Sequence, residues 1–219
     1  MPSSHDPHGG IDILHAGVPV ETAKRALILI HGRGSTAREI LTLAPNLPVT
    51  DFAVLAPQAA GSVWYPQRFM RPVEENEPYL SSALAAIDRL VQRLSGSGIP
   101  PERIAIGGFS QGACLTVEYA AQHPRRYGAV LAFSGGLIGD ASKPLPIHHP
   151  GTPLNGTPAF IGCSDVDSHI PVGRVDETAD VLRTMGAVVD KRIYPGMGHT
   201  INQDEIDAAS ALLSAIGTT

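Results

Sequence analysis

The sequence predicts an α/β fold, with a mostly parallel central sheet and helices on both faces. Two observations point there. Short apolar runs bounded by Gly and Pro recur at 11–15, 26–30, 52–56, 104–106, 129–133, 159–162 and 188–194. Stretches of helical periodicity separate most of them, the alternation that parallel strands joined by crossover helices produce. A chain of 219 residues, 43% hydrophobic and 17% charged, has the composition of a globular protein and the length to enclose one core. We therefore read residues 1–219 as one domain.

The first ten residues are polar and rich in Pro and Gly, which reads as a loose terminus. The apolar runs are continuous rather than alternating, so they read as strands buried on both faces. Helices are predicted at 36–43, 78–94, 111–122, 172–185 and 203–216. In the second of these, Leu80, Leu84, Ile87, Leu90, Val91 and Leu94 share one face, while Asp88, Arg89 and Arg93 take the wet side. The Pro-rich stretch 143–158 reads as an excursion, because strand-like sequence resumes after it. Sites in open α/β sheets collect at the carboxyl ends of strands, so the loops after residues 30, 56, 109, 133, 162 and 194 hold the candidates.

The loop after the fourth run reads Gly107-Gly108-Phe109-Ser110-Gln111-Gly112-Ala113, a G-x-S-x-G segment between a buried strand and a helix. That context makes it a nucleophile elbow, with glycines where any side chain would strike the neighbouring strand or helix. A serine hydroxyl is a weak nucleophile near neutral pH and needs a base, normally an imidazole oriented by a carboxylate. In this architecture the chain order is Ser, acid, His. His199 sits in the Gly-rich loop between the last strand and the last helix. Asp165 and Asp167 compete for the acid in the loop after 159–162. Asp140 reads as a loop residue, Asp204 as favourable to the N-terminus of the last helix, and His123 as a helix C-terminal residue. Oxyanion donors are expected from the backbone N–H of Gln111 and, within His31-Gly32-Arg33-Gly34-Ser35, of Arg33.

These segments, with Trp64-Tyr65 and the Asp-x-x-Ile-Pro of residues 167–171, resemble the carboxylesterase and acyl-protein thioesterase group of the α/β-hydrolases, also called the phospholipase/carboxylesterase family. The resemblance covers nearly the whole chain from Arg25 onward. It implies an α/β-hydrolase fold with little or no lid, cleaving carboxylic esters without metal or organic cofactor, with acyl thioesterase or lysophospholipase action on the same triad as the alternative. It also implies Ser110, Asp167 and His199 as the triad, Arg33 and Gln111 as oxyanion donors, and Trp64 as a wall of the substrate pocket. The aromatic-rich run 61–70 reads equally well as a loop packed on the core.

Two departures stand out: Arg33 occupies a position where such enzymes often carry Leu, and the acid loop is longer by two residues. Counting forward from the strand end selects Asp165, whereas counting back from Ile170-Pro171 selects Asp167. Proline suits the first turn of the helix that follows, which makes that side the firmer ruler. Asp167 is the expected acid and Asp165 a turn former capping its own backbone.

A formal charge of -5 offers no basic stripe for a phosphate backbone, so nucleic acid is set aside. No apolar run is long enough to span a bilayer, and the N-terminus lacks a signal pattern, so a cytoplasmic location is expected. Cys114 and Cys163 are too few for a disulfide framework or a zinc site, and His5, His8, His148 and His149 lack metal-ligand spacing. No metal is expected. The expected partner is a small-molecule ester or thioester, with a homodimer left open. A dienelactone-hydrolase relative would typically carry cysteine in place of Ser110, and a catalytically silent binding module would lack a triad member.

Overall fold

The computed structural model describes residues 6–146, 149, 151 and 153–217. Among them seven strands form one sheet: β1 (Ile13–Gly17), β2 (Arg25–Ile30), β3 (Phe52–Pro57), β4 (Ile104–Phe109), β5 (Ala129–Phe133), β6 (Pro158–Ser164) and β7 (Val188–Tyr194). Their order is β1-β3-β2-β4-β5-β6-β7. Only the β1–β3 pair is antiparallel. The α-helices are α1 (Ala37–Ile40), α2 (Tyr79–Gly96), α3 (Gln111–Gln122), α4 (Val172–Thr184) and α5 (Gln203–Ala215). This is the α/β-hydrolase arrangement, a mostly parallel sheet between helices.

Strand side chains alternate between faces, and the central strands fill two cores at once. In β2, Ala26, Ile28 and Ile30 enter one core with residues of α2, α3 and α4. Leu27 and Leu29 enter the other with residues of α1 and α5. The parallel register aligns the carboxyl ends: Ile30 lies opposite Gly108, Phe109 opposite Phe133, and Ser164 opposite Tyr194. The loops after β2, β4, β6 and β7 therefore open on one rim.

Three expectations are corrected. The helix at 36–43 stops after one α-helical turn and continues as a 3-10 stretch, Leu41–Asn46, with Pro45 inside it. Proline has no N–H to donate four residues back and its ring crowds that carbonyl. The run 188–194 is not buried on both faces, because β7 is a sheet edge with β6 as its one strand partner and Val188 is 68% exposed. Its charges guard that edge, Lys191 pairing with Asp176 and Arg192 with Asp190 and Asp204.

Residues 6–10 are not loose. His8 is fully buried, its backbone N–H donating to Ser82 Oγ at 2.7 Å. Ala60 N–H donates to His8 Nδ1 at 3.2 Å, so Nε2 carries the ring proton and donates to the Trp64 carbonyl at 2.9 Å. Ser82 Oγ in turn donates to Asp6, which also pairs with Arg89. These anchors are isolated polar contacts, so no periodicity announces them. His5 and His148 lie outside the described residues. Among the described residues, no helix is long and apolar enough to cross a membrane.

Candidate active site

Ser110 follows β4 directly and caps α3 with φ 56° and ψ -118°, a conformation that costs a non-glycine residue about 1–3 kcal/mol. The turn is possible only because two neighbours have no side chain. A Cβ at Gly108 would lie 2.5 Å from the backbone of Gly112, and one at Gly112 would lie 2.1 Å from the Ile30 carbonyl oxygen. The turn at Ser110 is thus clamped between α3 and the end of β2.

His199 Nε2 lies 2.8 Å from Ser110 Oγ, and its Nδ1 lies 2.6 Å from Asp167 Oδ2. The structure brings Asp167, not Asp165, to the imidazole. Asp167 Oδ1 accepts from the backbone N–H of His169 at 2.8 Å and of Ile170 at 3.0 Å. Burial pushes the Asp167 carboxyl up, but its bonds to His199, His169 and Ile170 outweigh burial and hold it below the usual carboxylate range. Ile170 is buried in the core and Pro171 caps α4, which fixes the distance from helix to acid.

Asp165 does not cap its own backbone, as the turn reading expects. Its Oδ1 accepts from Gly196 N–H at 2.7 Å, across to the loop that carries His199. Asp165 N–H donates to the Tyr194 carbonyl at 3.2 Å, and Ser164 Oγ donates to the Met197 carbonyl. Besides the Asp167–His199 contact, these three bonds lace the acid loop to the histidine loop.

The two expected oxyanion donors both line the cleft beside Ser110, which holds about 270 Å³. Gln111 N–H opens α3, where four backbone donors lack helical partners and the helix dipole favours negative charge. Arg33 N–H shares a peptide plane with the Gly32 carbonyl. His31, fully buried, fixes that plane: Ala59 N–H donates to its Nε2 at 3.1 Å, so the proton sits on Nδ1 and is donated to the Gly32 carbonyl at 2.7 Å. Burial pulls the His31 pKa below its ordinary value, only partly offset by the Gly32 bond, and keeps this tautomer neutral.

Trp64 does not wall the cleft. It is fully buried behind it, its Nε1–H donating to the His31 carbonyl at 2.9 Å and its backbone N–H to Gln111 Oε1 at 2.9 Å. The apolar wall comes from the following residues, Tyr65 and Phe69, with Cys114 and Ile170. Burial pushes the Cys114 thiol up to about 12, so it is an apolar floor element one turn beyond Ser110. The Arg33 guanidinium is already committed: it donates to the carbonyls of Tyr65, Pro66 and Gln67 at 2.6 to 3.0 Å.

A family model described as Phospholipase/Carboxylesterase matches residues 16–216. The chain belongs to this family. A crystal structure described as phospholipase/Carboxylesterase from Dyadobacter fermentans DSM 18053 has a TM-score of 0.89 and 44% identity, covering 94% of this chain and 97% of that one. Acyl-protein thioesterase 1 of Saccharomyces cerevisiae is 28% identical over 225 residues, 91% of this chain and 96% of the yeast protein. Acyl-protein thioesterase 1 of Eremothecium gossypii is 28% identical, covering 89% of each chain. Membership and fold together make this phospholipase/carboxylesterase chain a hydrolase.

Within this family member, sequence reasoning missed two contributions. The His31 ring positions the Gly32–Arg33 peptide, and the Gln111 side chain bridges Trp64 N–H to the Tyr65 carbonyl, the latter at 2.9 Å. Both residues stand in the segments that drew attention for their glycines and backbone, and a single sequence carries no signal for what their side chains bind.

Proposed function

We propose that the protein is a serine carboxylesterase that works through an acyl-enzyme. One observation carries the reading: the continuous chain Asp167–His199–Ser110, with contacts of 2.6 and 2.8 Å. Ser110 Oγ attacks the substrate carbonyl carbon as His199 Nε2 takes its proton. The carbonyl oxygen becomes an oxyanion held by the N–H groups of Arg33 and Gln111. The intermediate collapses, the bond to the leaving group breaks, and His199 returns its proton to the departing oxygen. Water, deprotonated by His199, then attacks the acyl-enzyme, and its collapse releases the carboxylic acid and restores Ser110.

An acyl thioester fits the same steps with sulfur as the leaving atom, and the similarity to the two fungal acyl-protein thioesterases supports that variant. The test is labelling with a fluorophosphonate probe followed by peptide mass spectrometry, together with turnover of p-nitrophenyl esters and thioesters of rising chain length. Labelling should fall on Ser110. Ser110→Ala and His199→Ala should each lower kcat by at least about 10³ with the fold intact. A loss below tenfold would overturn the assignment.

A further inference from the structure

The cleft beside Ser110 is not the sole cavity at the triad. A second one, of about 350 Å³, lies on the other side of the imidazole and shares Gly32, Phe109 and His199 with the first. The Phe109 ring packs against His199 with centroids 4.8 Å apart, so these two rings form the partition between the cavities. The first cavity faces the core that holds Cys114 and Ile170, and the second faces the core that holds Ile40. The catalytic residues therefore stand astride the sheet rim with one arm on each face.

We propose that this second arm is the leaving-group subsite and that it favours an aliphatic alcohol or thiol carrying a positive charge, held by Glu39. This deepens the esterase reading and rests on it. A tetrahedral carbon on Ser110 with its oxygen in the oxyanion site has two substituents left, and each needs an arm. The acyl group stays attached until water arrives, which suits the arm walled by the buried Tyr65, Phe69 and Ile170. The leaving group must take a proton from His199 and escape, which suits the arm bordered by His199 and the exposed Thr42 and Thr200.

The charge is set by Glu39. Its Oε2 accepts from Ser35 Oγ at 2.7 Å, Thr36 N–H at 2.9 Å and Thr36 Oγ1 at 3.2 Å. The bond from Ser35, then that from Thr36, hold its carboxyl below the ordinary range, so it is anionic at neutral pH. Oε1 has no partner among the described residues, and Glu39 is one of the residues that line the arm. The nearest basic group of the oxyanion loop, the Arg33 guanidinium, is turned away onto the Tyr65 to Gln67 carbonyls of the first arm. Ile40, Leu43 and Ile201 give the arm an apolar lining, and the Phe109 ring lies within it, which suits a cationic head on a short aliphatic stem.

The test compares butyrylcholine with 3,3-dimethylbutyl butyrate, which have the same acyl group and nearly the same leaving-group shape but differ in charge. At low ionic strength kcat/KM should favour the choline ester by about three- to tenfold, as expected for one charge pair near a wet surface. Because the quaternary nitrogen also makes choline the better leaving alcohol, the decisive quantity is the change: the preference should fall three- to tenfold in Glu39→Gln and should shrink with added salt. Because both esters meet the same variant, any loss of helix capping cancels in the ratio. A ratio of one in the wild type, or a ratio unchanged by Glu39→Gln, overturns the subsite. So does a Glu39→Gln effect seen only when the cation is moved to the acyl side, with the ethyl ester of 4-trimethylammoniobutyrate. Ser110-dependent turnover of 3,3-dimethylbutyl butyrate is read in parallel: its absence refutes the esterase reading itself, and its presence with no charge preference refutes the subsite alone.

Discussion

Glu205 should make the protein lose stability as pH rises, and Glu205→Gln should cancel that loss. The carboxyl is fully buried at the start of α5. Its Oε2 accepts from Asn202 N–H at 2.9 Å in a capping box, while Oε1 has no partner among the described residues and faces Gly162 so closely that a Cβ there would lie 2.1 Å away. Burial pushes its pKa from 4.5 up to about 7, against the pull of the Asn202 N–H and with a further push from Asp204. A folded-state pKa above the unfolded one means stability is fully present below 4.5 and is lost as pH climbs through about 7. A shift of that size corresponds to about 3 kcal/mol at most, and the window from pH 5 to pH 8 captures about 2–3 kcal/mol of it. The helix N-terminus, which favours the charged form, trims this further by a few tenths to 1 kcal/mol.

Glutamine cannot ionise and keeps an oxygen for the Asn202 N–H. The assay is urea unfolding of wild type and Glu205→Gln at pH 5 and pH 8, comparing the stability difference at the two values. The difference matters because burial pulls the pKa values of His8 and His31 down, so they lose stability as pH falls below 6.5, and these effects cancel between the two proteins. The variant should gain about 2 kcal/mol over wild type between pH 5 and pH 8, or roughly 4–8 °C in Tm for a chain of this size. A gain below about 0.5 kcal/mol would mean that the carboxyl ionises without penalty, and the reasoning from its burial would fail.

Other outcomes follow from the same geometry. Asp167→Asn should lower kcat on p-nitrophenyl butyrate by about 10³–10⁴, by leaving His199 in the wrong tautomer. Asp165→Asn should cost far less, since it weakens only the bond to Gly196 N–H, and equal losses would return the acid to contention. Arg33→Leu should raise KM several-fold with kcat largely kept, because it frees the Tyr65 to Gln67 carbonyls but leaves the backbone N–H in place; steady-state kinetics decides. Gly112→Ala should abolish soluble folded protein or lower Tm sharply, since its Cβ would sit 2.1 Å from the Ile30 oxygen. Normal thermal unfolding of that variant would refute the close approach of residue 112 to the Ile30 carbonyl.

Much of this molecule is legible in one dimension because the signals are local. Continuous apolar runs mark β2 to β6, since a strand covered on both faces has no polar side to display. Ser110 is announced by its flanking glycines, because the strained turn tolerates nothing else at 108 and 112. His199 is announced by chain order, and the two-residue ambiguity of the acid yields to Pro171, whose place at the head of α4 is a local property.

What escaped is non-local. Trp64 and Tyr65 are adjacent and similar in sequence, yet one is locked behind the loop that follows β2 by His31 and Gln111 and the other walls the cleft. The docking of residues 6–10, the Asp165–Gly196 bond and the Arg33 brace join segments from 31 to 83 residues apart. A side chain's partner across such a distance depends on how strands are ordered and helices packed, so periodicity and motif spacing carry no record of it. The sequence by itself determined the succession of strands and helices and the glycine-flanked turn at Ser110, because each rests on backbone constraints within a few residues. Only the tertiary structure decided which aromatic lines the cleft, which proton each buried histidine holds, and that Asp167, His199 and Ser110 meet beside it, because those depend on contacts that exist only once the sheet has brought the loops together.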